Sequence, residues 1–398
     1  MPIAPAPTPC EPGRAARPRI PLHAPALSGR ERAYLKECLD SGWVSSAGPF
    51  VERFEQMVAA WLGRRHAVAT SSGTTALHLA LLAAGVEPDD EVLVPSLTFV
   101  ATANAVRYCG AWPVFVDADA ATWQMAPQRL SEFVTTRCQA RQGALRNRRS
   151  GRRVRAILPV HLLGHPCDMD AIGEIARRHE LRVVEDAAQS LGAVCRGRKA
   201  GTFGDLACLS FNGNKVITTG GGGMVVTDDL ALAERVRYLS SQAKDHPMEY
   251  IHASIGYNYR LSSLQAALGC GQLEQLNGHL QRKARIAVRY REAFADRPNV
   301  APMPSASWAS PAWWLFTLRL APDRNVSDIV TRLAARGIEA RRLWRPLPRL
   351  PMYRAAEQLG GAVADALYAQ AFSLPSSPAL SSGDQDTVIE VVQELLSS

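Results

Sequence analysis

Between residues 91 and 227 short apolar runs alternate with longer stretches whose apolar positions recur every three or four residues. The runs at 91–95, 113–117, 156–160, 182–186, 206–211 and 223–227 are nearly continuous in Val, Leu, Ile, Ala and Phe, the pattern of strands covered on both faces. Helices are predicted at 30–39, 75–84, 168–179 and 230–240, with Asp168 and Asp229 placed as N-caps. Strand and helix in alternation predict an α/β fold with a mostly parallel sheet between helices.

Beyond about residue 265 the pattern changes. Leu261, Leu264, Leu268, Leu273 and Leu276 line one helical stretch, and 282–294 continues as a more polar helix. A strand pair around 314–320, a helix at 326–336 and a closing helix at 385–396 predict a smaller α+β unit. The tract Arg345-Pro346-Leu347-Pro348-Arg349-Leu350-Pro351 reads as an irregular loop, because proline neither donates to a ladder nor fits inside a helix. The expected division is a disordered Pro/Ala/Arg-rich arm over 1–19, a large domain over 20–265 and a small domain over 266–398.

With 398 residues, 47% of them hydrophobic, the chain can bury a sizeable core. No run approaches the roughly 18 apolar residues of a membrane helix, and the proline-rich start does not read as a signal peptide, so a cytoplasmic protein is expected. Eight cysteines without a C-x-x-C pair read as reduced structural thiols, and no metal site is expected. The net charge of +8 is concentrated in one place: eight arginines between 137 and 155, with no acid among them. That segment lacks hydrophobic periodicity and reads as a solvated loop. Since no aromatic stacking positions accompany the charges, no specific nucleic-acid partner is expected.

Three elements carry candidate chemistry. Lys215 follows the strand-like 206–211 run and is backed by Gly220 to Gly223, an arrangement that presents an amine. The run Val183-Val184-Glu185-Asp186 ends in two acids at the carboxyl edge of a predicted strand, where ligands of open α/β sheets bind. Alternate strand residues face opposite sides, so Glu185 and Asp186 cannot both address one ligand, and spacing alone does not choose between them. Finally, Ser71-Ser72-Gly73-Thr74-Thr75 opens an Ala/Leu-rich helix, whose free first-turn amides form a site for an anion such as phosphate.

Taken together with Gly42-Trp43-Val44-Ser45-Ser46, Pro95-Ser96-Leu97-Thr98-Phe99, Pro159-Val160-His161-Leu162-Leu163-Gly164, Phe203-Gly204-Asp205 and Gly256-Tyr257-Asn258-Tyr259-Arg260-Leu261, these elements make the chain resemble the DegT/DnrJ/EryC1/StrS sugar-nucleotide aminotransferases from about residue 20 to 394. The resemblance implies the aspartate-aminotransferase-like fold (fold type I) and pyridoxal 5'-phosphate as cofactor, with pyridoxamine 5'-phosphate formed during turnover. It makes Lys215 the catalytic lysine that binds the cofactor and Asp186 the partner of the ring nitrogen. Gln189 falls beside the ring hydroxyl and Phe99 on the ring face. Gly73, Thr74 and Ser210 hold the phosphate, Asn258 reaches the cofactor of the neighbouring subunit in a homodimer, and His161 lies near the substrate.

The segments Gln242-Ala243-Lys244-Asp245 and 337–344 resemble the group that aminates carbon 4 of nucleotide-linked 4-keto-6-deoxyhexoses, with L-glutamate as the expected amino donor. The related dehydratases carry histidine where Lys215 stands, so the lysine speaks for amination. Amination at carbon 3 and a non-catalytic regulatory role are the alternatives. The chain departs from the family pattern at His165, where glutamine is common, and in the length of the arginine-rich segment.

Overall fold

The computed structural model describes residues 20–397 apart from 247, 296 and 298; the expected arm over 1–19 falls outside them. The large sheet contains β1 (His66–Thr70), β2 (Glu91–Pro95), β3 (Trp112–Val116), β4 (Val154–Ile157), β5 (Arg182–Asp186), β6 (Leu206–Ser210) and β7 (Gly223–Thr227). Their spatial order is β1-β7-β6-β5-β4-β2-β3, and Gln358–Leu359 adds an eighth strand beside β3. Only β7 runs against its neighbours. The six expected strands are all present within a few residues of their predicted ends, and β1 joins them at the edge. The parallel strands therefore finish on one edge of the sheet, with Asp186 at the end of β5 and Ser210 at the end of β6.

Local chemistry fixes the helices on either side. Asp168 caps Met169–Arg178 by accepting from the Ala171 amide, and Asp229 caps Leu230–Ser240 by accepting from Ala231 and Leu232. At Gly73–Ala83 the Ser72 hydroxyl accepts from the Thr75 amide at 3.1 Å while the Thr75 hydroxyl accepts from the Ser72 amide at 3.0 Å, a reciprocal cap. Gly223 sits opposite both Thr70 and Ser210 in the sheet. A Cβ there would lie 2.3 Å from the Ser72 carbonyl oxygen, so only glycine lets β7 pass under the start of this helix.

The chain after Ser263–Glu274 and the 19-residue helix Leu276–Phe294 builds a second, four-stranded antiparallel sheet. Phe316–Leu320 lies inside it, between Val300–Pro302 and Ala371–Leu374, with Arg341–Arg342 on the far side of the last. The strand pair expected around 314–320 is thus one strand, paired with Val300–Pro302 shortly before it and with the distant Ala371–Leu374. Tyr290, Phe294, Phe316, Phe372, Val388 and Val392 form the core of this layer. The proline-rich tract takes two short 3-10 turns, Leu347–Arg349 and Pro351–Tyr353.

The arginine-rich segment corrects the sequence reading. It is not a solvated loop: Cys138–Arg141 pairs with Ala144–Asn147 in a hairpin, turned by Gln142 and Gly143 at φ 54° and 69°. Its counter-charges come from elsewhere in the chain. Arg153 donates to both carboxylate oxygens of Asp90 at 2.8 and 2.7 Å, Arg137 pairs with Glu357 at 3.1 Å, and the buried Asn147 amide donates to Glu91 and Glu357. The seven described cysteines are all buried and free, and no described helix is long and apolar enough to cross a membrane.

One carboxylate joins the two layers. Asp117, just past β3, accepts from the amides of Ala118, Gly361, Val363 and Ala364 at 2.6 to 3.2 Å, and so caps the helix Ala362–Gln370 from across the chain. Asp117→Ala strands several buried amides and is expected to lower stability by about 2 kcal/mol. Urea denaturation followed by circular dichroism measures this; an unchanged midpoint would show that the cap does not contribute.

Candidate active site

The last turn of β5 separates the two candidate acids. Glu185 is fully buried on the side away from the ligand edge, where its oxygens accept from the amides of Gly201, Phe203 and Gly204 at 2.7 to 2.8 Å. Burial pushes this carboxyl upward, but hydrogen bonds from His161, Gly204 and Gly201 hold it below its ordinary value. Asp186 faces a cavity of about 390 Å³. It is 4% exposed and accepts from the Thr102 hydroxyl at 2.8 Å and the Ala188 amide at 3.1 Å. Burial raises its pKa, against the opposing effect of those two donors and of the Lys215 charge.

Lys215 lines the same cavity. The Lys215 amide closes a turn onto the Asn212 carbonyl at 2.9 Å, and the Trp314 indole anchors that turn by donating to the Asn214 carbonyl at 2.6 Å. The lysine Nζ sits 4.0 Å from the centroid of the Trp314 ring. Burial lowers the Lys215 pKa from 10.5 to about 8, with Asp186 pulling in the opposite direction. At pH 8 roughly half of such amines are neutral, against about one in three hundred at the unshifted value.

The rest of the cavity wall follows from the sheet register. Gly73 packs so closely on the end of β6 that a Cβ would meet the Ser210 Cβ at 2.8 Å, which brings the first helical turn and the Ser210 hydroxyl together. The amides of Gly73 and Thr74 belong to that first turn and have no acceptor within the helix. Phe99 is 51% exposed although apolar, an aromatic face open to the cavity. Gln189 accepts from the Leu163 amide at 2.8 Å through Oε1 and so pins a residue held at φ 58°.

Seven of the nine residues singled out in the sequence, namely Lys215, Asp186, Gly73, Thr74, Ser210, Phe99 and Gln189, therefore line one cavity. Asn258 does not: it is exposed and bridges Ser241. Nor does His161. It lies off the cavity wall, fully buried, with Nε2 2.9 Å from Glu185 and Nδ1 accepting the Cys167 amide at 3.0 Å. Because Nδ1 accepts, a ring proton on Nε2 is donated to Glu185, and the histidine braces the β5 terminus. His165 is buried too, accepting from the Ala306 amide, and burial lowers its pKa to about 4.

Sequence reasoning missed Thr102, Trp314 and His23, all of which line the cavity. Thr102 had a local signal, since it stands three residues past Phe99. Trp314 and His23 had none, because tertiary packing alone brings them to Lys215. Arg341 and Arg342 also line the cavity.

A parallel sheet with one reversed strand, a lysine and an aspartate facing each other at its carboxyl edge, and a capped helix start between them define a fold-type I aminotransferase. Residues 25–393 match the model of the DegT/DnrJ/EryC1/StrS aminotransferase family, and the chain belongs to that family. It is 41% identical to a GDP-perosamine synthase of Caulobacter vibrioides, over 95% of this chain and 99% of that one. Among solved structures it superposes on DesV of S. venezuelae in complex with a ketimine intermediate, with TM-score 0.84 and 35% identity over 96% of this chain and all of that one. The sugar aminotransferase Spr1654 of Streptococcus pneumoniae in its PLP form gives TM-score 0.85 at 25% identity, covering 95% of this chain and 99% of that one.

The residues present fit pyridoxal phosphate. Asp186 is a buried carboxylate bonded only to neutral donors and suits a protonated ring nitrogen, while the Gly73 cradle leaves two amides for a phosphate. The lowered Lys215 pKa gives a pH signature. Protein stripped of cofactor, mixed with pyridoxal phosphate and reduced with borohydride, is expected to label at Lys215 with a midpoint near pH 8, rising toward alkaline pH as the amine loses its proton. In Asp186→Asn the midpoint is expected to move lower, because the carboxylate that raises it is gone. Mass spectrometry of the labelled peptide checks both, and a midpoint near 10.5 would refute the shift.

Proposed function

We propose that the protein transfers the amino group of L-glutamate to the C4 keto group of a GDP- or UDP-linked 4-keto-6-deoxyhexose, yielding a 4-amino sugar nucleotide for surface polysaccharide or glycoconjugate synthesis. The observation that carries the reading is the pairing of Lys215 with Asp186 across one cavity, in a chain 41% identical to a protein named for making GDP-perosamine. A histidine at 215 would point to dehydration; the lysine supports amination.

Bound pyridoxal phosphate supplies an electron sink for the negative charge that develops on the substrate carbon. Asp186 would keep the ring nitrogen protonated, and Thr102 and Ala188 fix the orientation of that carboxylate. Phe99 would cover the ring face, Gln189 would stand at its hydroxyl side, and the Gly73 and Thr74 amides with the Ser210 hydroxyl would hold the phosphate, all of them residues that line this cavity. In the first half-reaction Lys215 Nζ takes the proton from the Cα of L-glutamate; in the second it returns one to C4 of the sugar. Trp314 holds the amine in place between these tasks.

The working form is proposed to be a homodimer in which Asn258 completes the cavity of the partner subunit. What supports this is the exposure of Asn258 beside a segment in which Met248, Tyr250 and Ile255 are 84%, 90% and 83% exposed, an apolar surface of the kind that a second copy covers.

Purified protein is expected to show a visible absorption band that L-glutamate bleaches with release of 2-oxoglutarate. Lys215→Ala is expected to lower turnover by about a thousandfold while the fold, read by circular dichroism, stays intact. A colourless wild type that glutamate leaves unchanged would refute the cofactor. Substrate choice is tested with UDP-, GDP- and dTDP-linked 4-keto and 3-keto sugars, reading the position of the new amine by NMR. Turnover of 3-keto sugars alone would overturn the carbon 4 assignment.

A further inference from the structure

Beside the outermost strand of the large sheet, Gln358–Leu359, lies a second cavity of about 490 Å³ that shares no lining residue with the one at Lys215. Arg149, Arg345, Arg349 and Arg354 all line it, from two segments distant in sequence. Each comes from a backbone that is held in place. The Arg149 amide donates to Oδ1 of the buried Asn147 at 2.9 Å, in the turn after the arginine-rich hairpin. The Leu347 amide donates to the Ser96 carbonyl at 2.8 Å and the Arg349 amide to the Pro346 carbonyl at 2.9 Å, which fixes the proline-rich stretch that carries Arg345 and Arg349. Arg354 follows the turn Pro351–Tyr353, whose buried tyrosine donates its hydroxyl to Asn104 at 2.6 Å.

The acids at this place are already engaged. Asp365 accepts from Nε of Arg349 at 3.1 Å and also from its Nη2. One oxygen of Glu357 accepts from Arg137 at 3.1 Å and the other from Asn147 at 2.8 Å. The guanidinium groups of Arg149, Arg345 and Arg354 are exposed and have no hydrogen-bond or ion-pair partner among the described residues. Arginine stays protonated in proteins, so these unmatched positive charges do not depend on the state of any neighbour. A cleft lined by one sign of charge concentrates ions of the other, and the planar fork of a guanidinium matches phosphate oxygens two at a time. The rest of the wall includes Pro348, Ala356 and Gln358 and no aromatic ring, so a nucleobase finds no surface to stack on and charge selects the ligand. One carboxylate would leave most of that charge unmatched, whereas two linked phosphates carry enough to meet it.

We propose that this cavity is a binding site for a diphosphate group, held by Arg149, Arg345 and Arg354 and separate from the catalytic cavity. The inference goes beyond the transaminase reading and does not depend on it. The two cavities are neighbours along the chain, since Trp344 lines the catalytic one and Arg345 the other, so the test has to tell them apart.

The probe is inorganic pyrophosphate, titrated calorimetrically at low salt into protein loaded with pyridoxal phosphate. The double variant Arg149→Gln/Arg354→Gln is expected to bind it about tenfold or more weakly, with circular dichroism unchanged because both side chains are exposed and unpaired. Arg149→Lys/Arg354→Lys keeps the charge without the fork and is expected to fall between the two. Arg341→Gln, on the wall of the catalytic cavity, and Arg32→Gln/Arg285→Gln, exposed and on neither wall, are expected to match wild type. GDP presents the same group on a nucleotide; loss in the Arg149/Arg354 pair with either probe supports the site, and the tighter probe identifies the source. Pyrophosphate and GDP that both fail to bind wild type, or bind it and Arg149→Gln/Arg354→Gln equally, overturn the proposal. A loss produced by Arg341→Gln instead would place the diphosphate in the catalytic cavity, and an equal loss in Arg32→Gln/Arg285→Gln would reduce the effect to net charge; either result overturns the site.

Discussion

The site is organised around a negative charge that the protein buries without neutralising. Asp186 is held by a hydroxyl and an amide, both uncharged, at the end of a central strand. A carboxylate in such a place is stable only with a cation nearby, and the cavity before it admits one. Much else in the architecture serves that arrangement. The alternation of β5 turns Glu185 away, and three backbone amides with His161 consume its charge on the other side of the sheet. The same burial that raises the pKa of Asp186 lowers that of Lys215 to about 8, so one cavity holds both a carboxylate met only by neutral donors and an amine that loses its proton near neutral pH.

Which parts of this were legible in the chain follows from how local each signal is. The strands of the large sheet were visible because each is a continuous apolar run, and Asp168 and Asp229 marked helix starts because capping is a matter of three residues. Lys215, Asp186 and Gly73 stood out because each lies at the end of such an element. The choice between Glu185 and Asp186 was not legible, since it depends on which face of the sheet carries the cavity. The arginine-rich hairpin was misread for a related reason: Asp90, Glu91 and Glu357, which neutralise or anchor it, are distant in sequence. His161 entered through the resemblance alone, and only its two hydrogen bonds show that both ring nitrogens have partners within the protein.

The C-terminal layer does more than cover the cavity. Trp314 fixes the turn that presents Lys215, and its carbonyl also receives a proton of Lys283, so the small sheet and the lysine turn cannot shift independently. Asp117 ties the helix after residue 361 to the end of β3. These ties are short, polar and buried, and they fix relative position more sharply than apolar packing does. The cavity is accordingly built from both layers: its floor belongs to the large sheet, while Trp314, Arg341 and Arg342 come from the other.

The eighth strand, Gln358–Leu359, gives β3 a hydrogen-bonded neighbour on its outer side. During synthesis on the ribosome β3 is complete long before that neighbour has been made, and in the interval its free amides and carbonyls form an open edge. Exposed edges recruit strands from other chains. Between emergence of residue 116 and emergence of residue 359 the nascent protein therefore carries an edge that the folded chain covers with its own later segment.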